Sequence, residues 1–142
     1  VACQLIREPQ LLPGGGATHI ALARRLRRYA ETIPGREQMA IEGFAAALES
    51  IPRILAENAG MNPIDELLRA TAAQADANSA WQGLDINTGQ TTDMGKASIV
   101  EPLSVTRHAI ACATEAAISV LRIDDVLWSK QDAQTPDWQT ED

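Results

Sequence analysis

Apolar positions recur at three- and four-residue intervals through most of the chain, the spacing that lines one side of an α-helix. The clearest run is Ile41, Phe44, Leu48, Ile51 and Leu55, which predicts a long helix turning that stripe toward a core. Pro52 falls inside it, removes one backbone hydrogen bond and crowds the carbonyl of Leu48, so a kink is expected there, and Gly60 supplies the stop. Upstream, Leu22, Leu26, Tyr29 and Ile33 predict a helix from Ala17 to about Thr32, with Arg24, Arg25, Arg27 and Arg28 on a solvated basic side. Glu8-Pro9 and the irregular crossing Leu11-Leu12-Pro13-Gly14-Gly15-Gly16 precede that helix, and Pro34-Gly35 ends it. Asn62-Pro63-Ile64-Asp65 reads as a further helix start, with Asn62 as cap and Pro63 at the first helical position, running to about Ala75.

Beyond the loop at Ala77-Asn78-Ser79 the periodicity changes. Trp81 to Ile86 and Thr91 to Met94, around Asn87-Thr88-Gly89-Gln90, predict one short β-hairpin, the only β signal. Pro102 is read as opening a last long helix through Val105, Ile110, Ala113, Ala117, Val120 and Ile123, whose small residues suit a central helix. Ser129 to Asp142 is polar and acidic, with Pro136 and Trp138, and is expected to be disordered without a partner. The fold class is therefore mainly α, a helical bundle with one short β-hairpin over residues 1–128, followed by an acidic tail over 129–142. Val1, Ala2, Leu5 and Ile6 read as the end of an amphipathic helix already under way, so the segment is expected to be a piece of something longer.

Composition narrows the function. Lys and Arg number 12 against 19 Asp and Glu, a formal charge of −7, which lacks the basic field that holds a phosphate backbone or an anionic membrane. Neither nucleic acid nor membrane is an expected partner. Cys3 and Cys112 are the only thiols and have no metal or redox spacing, so both are expected buried and reduced, as in a cytosolic protein.

Three places carry candidate chemistry. Gly14-Gly15-Gly16 directly before a helix offers bare backbone and a positive helix end to an anionic or nucleotide ligand; a tight helix start alone would also explain it. Glu101 before Pro102 stands at the expected cap position, where a carboxylate either accepts ribose hydroxyls or complements the helix dipole. Asp124 and Asp125 sit where the last helix is expected to end and call for a cationic neighbour. His19 and His108 are isolated, and no catalytic set assembles around them.

A series of segments in fixed order resembles the C-terminal part of group II chaperonin subunits, the archaeal thermosome and its eukaryotic cytosolic relatives. It comprises Leu12-Pro13-Gly14-Gly15-Gly16-Ala17, Glu49 to Gly60 with Asn62-Pro63-Ile64, Thr88-Gly89 with Asp93-Met94, Glu101-Pro102-Leu103, and Ala113 to Ala117 running into Leu121 to Val126. The resemblance implies the second half of an equatorial domain, a mainly helical ATP-binding body that makes contacts within and between two stacked rings. It further implies that Gly14, Gly15 and Gly16 line ATP or ADP, that Asp85, Ile86 and Asn87 flank the adenine, and that Glu101 takes the ribose hydroxyls. Ile123 to about Trp128 would lead into an inter-subunit strand, and Arg53 and Glu57 would lie at inter-subunit or inter-ring contacts or else form solvated ion pairs.

The family's phosphate loop, its Mg2+ ligands and its catalytic aspartates belong to other parts of the subunit, as does the apical domain that binds unfolded clients. The segment alone is therefore expected to hydrolyse no ATP. A cytoplasmic, double-ring, protein-folding chaperonin is the implied whole; the rival reading is a short interaction module that binds or caps full-length rings. Two departures stand out: Ser98 where the family usually has glycine, and Thr106 where lysine is common.

Overall fold

A computed structural model describes residues 6, 8–75 and 79–125. The helix expected over the first residues lies outside these apart from Ile6, which is helical and exposed. The tail from Ser129 and the segment 126–128 also lie outside.

In chain order come β1 (Leu11–Pro13), α1 (Ala17–Ala30), α2 (Arg36–Asn58), α3 (Pro63–Ala73), β2 (Gln82–Asp85), β3 (Gln90–Asp93), β4 (Val100–Pro102) and α4 (Leu103–Leu121). The mainly helical class and the β2–β3 hairpin agree with expectation; Gln82 pairs with Asp93 and Asp85 with Gln90. A second antiparallel pair corrects the reading of the hairpin as the sole β element. β1 pairs β4, with Leu11 opposite Pro102, Leu12 opposite Glu101 and Pro13 opposite Val100. This pairing also moves the start of the last helix. Pro102 closes a strand instead of opening the helix, and Glu101 lies in that strand instead of capping α4.

α3 begins as its sequence dictates: the Asn62 side-chain oxygen accepts from the Ile64 amide at 3.0 Å and the Asp65 amide at 3.5 Å. That satisfies amides which the first turn leaves without carbonyl partners. α2 runs through Pro52 as one helix.

The faces of α1 and α2 differ from the expected stripes. α2 buries Ala45, Leu48, Glu49, Pro52 and Ala56, whereas Phe44 and Ile51 are 39% and 44% exposed. α1 buries Ala17, Thr18, Ile20, Ala23 and Ala30 and leaves Leu22 and Tyr29 exposed. Small residues dominate both buried faces, which permits close helix approach. Arg27 departs from the solvated basic side: it forks onto the buried Glu49, with Nη2 2.7 Å from Oε2 and Nη1 on Oε1. A carboxylate removed from water requires such a partner.

The chain divides into two compact units, residues 1–107 and 108–142. The first contains both sheets, α1 to α3 and the opening of α4. In the second, the described part of α4 is largely exposed, and Thr106, in the first unit, is the sole buried residue of the whole helix. The small residues that suggested a central helix are thus exposed among the described residues of α4. Cys112 is exposed, against expectation, with its sulfur 3.5 Å from His108 Nε2. Asp124 and Asp125 lie past the helix end, and Arg53 and Glu57 are exposed on α2. No helix among the described residues is long and apolar enough to cross a membrane.

Candidate functional site

The turn Gly14-Gly15-Gly16 links β1 to α1, and each glycine meets a different neighbour. Gly14 donates its amide to the Ile99 carbonyl at 2.9 Å, and a Cβ there would fall 2.8 Å from Ile99 Cγ2. Gly15 has φ +59°, and its carbonyl accepts from the Leu84 amide at 2.9 Å. A Cβ on Gly15 would lie 2.5 Å from the Leu84 oxygen and 2.6 Å from Met94 Sδ. Gly16, at φ +73°, would place a Cβ 2.6 Å from Cβ of Pro52. Only glycine combines that left-handed backbone with so close an approach. Protein packing thus accounts for the side of the turn where side chains would project, while all three glycines keep part of their backbone open to solvent.

These contacts draw together the segments singled out in the sequence. Through Leu84 the turn is bonded to the strand that ends in Asp85, and through β1 its first residue, Gly14, stands two register positions from Glu101. Gln74, fully buried, fastens the assembly: its Nε2 donates to the Ala17 carbonyl at 3.0 Å and the Gln82 carbonyl at 2.6 Å. Nothing local in the sequence marks Gln74, because both acceptors are backbone carbonyls, one of them on α1 and far away in the chain.

The three hairpin residues differ in what they offer. The Asp85 carboxylate accepts from the Asn87 amide at 2.9 Å and the Thr88 hydroxyl at 2.9 Å, so it holds its own turn together. Those bonds, the Asn87 amide foremost, favour the charged form and hold Asp85 below the ordinary carboxylate value. Ile86 and Asn87 are exposed and present an apolar surface and an amide.

Glu101 is half-buried, and its side chain makes no hydrogen bond or ion pair among the described residues. It is the uncommitted carboxylate of the cluster. His19, in the first turn of α1, is less isolated than its sequence neighbours implied, because the Glu101 charge acts on its imidazole. Burial pushes the His19 pKa down and Glu101 opposes that shift in part. The Nδ1 atom of His19 is buried without a partner.

A nucleoside fits this donor set in two respects: the turn offers open backbone, and Glu101 offers free acceptor oxygens to hydroxyl groups. No three His, Cys, Asp or Glu side chains converge into a metal set among the described residues. A groove of about 400 Å3 runs along β1 and α1, lined by residues that include Leu12, Leu22, Arg25 and Trp81, and none of the seven predicted site residues lines it.

Fold and site define a mainly helical body organised around a bare-backbone turn and one free carboxylate. The sequence pattern of the TCP-1/cpn60 chaperonin family matches residues 1–131, and the chain belongs to that family. It is 50% identical over 127 residues to a thermosome subunit of Methanocaldococcus jannaschii, covering 89% of this chain and 23% of that protein. It is 51% identical over 122 residues to the thermosome subunit alpha of Halobacterium salinarum, covering 86% of this chain and 22% of the relative. Among solved structures it is similar to the open-state monomer of a group II chaperonin from Methanococcoides burtonii, with a TM-score of 0.76 and 42% identity over 80% of this chain and 28% of that one. The chain thus spans about a quarter of the length of these relatives, at 22–28%.

Proposed function

We propose that the chain supplies the nucleoside side of the ATP site in a ring-forming, protein-folding chaperonin of the cytoplasm. The observation that carries this reading is the uncommitted Glu101 carboxylate on β4, two register positions along the β1–β4 pair from the turn Gly14 to Gly16, whose backbone is partly open. In this reading Glu101 accepts hydrogen bonds from the ribose hydroxyls, and a charged acceptor strengthens such bonds. The glycine backbone lies along the nucleotide because no side chain holds it off. Ile86 covers one side of the adenine and Asn87 its polar edge, while Asp85 keeps their turn in shape.

Mg2+ arriving with ATP or ADP would neutralise phosphate charge, held by residues beyond this chain. Neighbouring subunits are the expected ring partners, and unfolded clients would engage parts of the protein that this chain does not contain. Binding of a fluorescent ATP analogue tests the reading. Removing one charge-assisted pair costs roughly 1.5–3 kcal/mol, so Glu101→Ala should weaken binding at least about tenfold. Equal affinity in both proteins would contradict the proposal. Tight, stoichiometric capture of full-length chaperonin subunits without any nucleotide binding would instead favour a capping module.

A further inference from the structure

The two halves of the site sit on separate two-stranded sheets. The Gly14-Gly15-Gly16 turn and Glu101 go with the β1–β4 pair, and the Asp85-Ile86-Asn87 turn goes with the β2–β3 hairpin. Among the described residues no strand ladder joins the two pairs. The glycine half is tied within itself, because the Ala17 amide donates to the Gly14 carbonyl at 3.0 Å and the Thr18 hydroxyl to the Pro13 carbonyl at 2.9 Å. Spacing between the halves is therefore set by contacts that cross from one to the other. The 2.9 Å bond from the Leu84 amide to the Gly15 carbonyl is one; the bonds from Gly14 to Ile99 and from Ile99 to Met94 make a second route. The gap is tight, since a Cβ on Gly83 would fall 2.9 Å from the Gly14 oxygen and 3.0 Å from Cβ of Ala17.

A third crossing contact comes from a side chain that belongs to neither half. Gln74 caps the end of α3, where its backbone amide donates to the Ala70 carbonyl at 3.1 Å, and it is 0% exposed. Its Nε2 carries two hydrogens and faces two carbonyls, that of Ala17 at 3.0 Å in the glycine half and that of Gln82 at 2.6 Å in the hairpin half. The reverse orientation of the amide would set Oε1 against two acceptors, so the surroundings fix the assignment. Oε1 itself is buried without a protein partner among the described residues, and the side-chain bonds of Gln74 all lie on the bridging side. Filling this space needs no amide, because methionine has similar length and donates nothing. Two carbonyls that share one NH2 group, by contrast, hold their chains at a fixed separation.

We propose that Gln74 is a positioning residue that holds the two halves of the site at the separation a nucleoside spans. It touches no ligand and acts through the backbones of Ala17 and Gln82. Without its two bonds the glycine turn, carried by the start of α1, shifts against the hairpin. A ligand that engages the hairpin alone keeps its affinity, whereas one that reaches from the hairpin to Glu101 loses it. The proposal rests on the nucleoside reading above, so its test includes a measurement without ligand.

Gln74→Met is the variant, and Arg27→Ala is the control, since it removes a buried partner roughly 15 Å further along α1. Both are compared with the parent as the whole chain, alone or in whatever assembly it forms. The first measurement is amide hydrogen exchange without ligand. In Gln74→Met the protection of the Leu84 amide should fall about tenfold more than that of the α2 amides, and in Arg27→Ala it should not. Leu84 protection that changes only in step with α2 in Gln74→Met would overturn the bridge whether or not any ligand binds. The second measurement titrates adenosine and adenine by calorimetry. Gln74→Met should bind adenosine about tenfold more weakly and adenine as the parent does, while Arg27→Ala should match the parent for both. Equal losses for the two ligands would reduce Gln74 to a structural residue, and unchanged adenosine binding would overturn the positioning role while the nucleoside reading stood. A parent that shows no preference for adenosine over adenine would refute the two-sided site and the positioning role together. If Gln74→Met fails to fold, Gln74→Asn, whose NH2 group falls one methylene short, enters the same comparisons with the same expected outcomes.

Discussion

Replacing Gly15 by alanine tests the architecture of the turn most sharply. The new methyl carbon would sit 2.5 Å from the Leu84 carbonyl oxygen and 2.6 Å from Met94 Sδ, on a backbone held at φ +59°. The left-handed conformation costs an L-residue roughly 1–2 kcal/mol. Forcing a methyl into packed surroundings costs about 1–3 kcal/mol more. Relief by movement would stretch the 2.9 Å bond from the Leu84 amide to the Gly15 carbonyl, since Leu84 supplies both the bond and the clash. Restricting the unfolded chain returns about 0.4–1 kcal/mol. The net expectation is destabilisation by roughly 2–4 kcal/mol. Urea unfolding followed by circular dichroism should register this as a midpoint about 1–2 M lower, for a denaturant slope near 2 kcal/mol/M. Gly43→Ala is the matched control. Gly43 lies within α2 with no atom within 4 Å of the added Cβ, so the same methyl should stabilise by up to about 1 kcal/mol. Gly15→Ala within about 0.5 kcal/mol of the parent, or Gly43→Ala equally damaging, would refute the packing argument.

Three other outcomes follow from single features. Ser98, with φ 59°, is the non-glycine residue in the left-handed region among those described, so Ser98→Gly should raise the melting temperature by about 1–3 °C; a decrease in thermal melts would contradict that assignment. Arg27→Ala strips the partner from buried Glu49; with the Arg27 side chain 44% exposed, the full buried-pair penalty is reduced to roughly 1–3 kcal/mol, and a double-mutant cycle with Glu49→Ala should show coupling, additivity being the adverse result. The Asp85 pKa is held below 3.8 in the folded chain, so its contribution to stability is present above pH 3.8 and is lost as pH falls through the lowered folded value; acid titration of stability should flatten in Asp85→Asn, and an identical profile would count against the turn bonds.

Locally encoded features were legible in the sequence. Asn62-Pro63 fixes its own helix start, since cap and amides lie within three residues. The β2–β3 hairpin likewise needs only its turn. The β1–β4 pair was missed because each strand is three residues long and ends in proline, too short for an alternating pattern. Its register is imposed by the chain returning after nearly ninety residues, with Leu12 opposite Glu101.

The α2 stripe misled for another reason. Periodicity assigns the bulkiest apolar side chains to the core, yet the α2 face that is buried includes Ala45, Ala56 and Pro52, with Gly16 against Pro52. Glu49 was unreadable as a buried residue without knowing that Arg27 lies opposite. For the site, the glycine run and the odd residue Glu101 stood out by type. The bond by which Gln74 ties the start of α1 to the rest arises only from long-range packing.

The central claim is that nucleoside lies against Gly14 to Gly16, the Asp85–Asn87 turn and Glu101. Photolabelling with 8-azido-ATP, followed by mass mapping of modified peptides, tests it most directly, because the azide sits on the adenine. The account predicts label on the peptide containing Ile86 and Asn87, suppressed by excess ATP and reduced in Glu101→Ala. Competable label confined to other segments, with residues 85–87 unmodified, would contradict it.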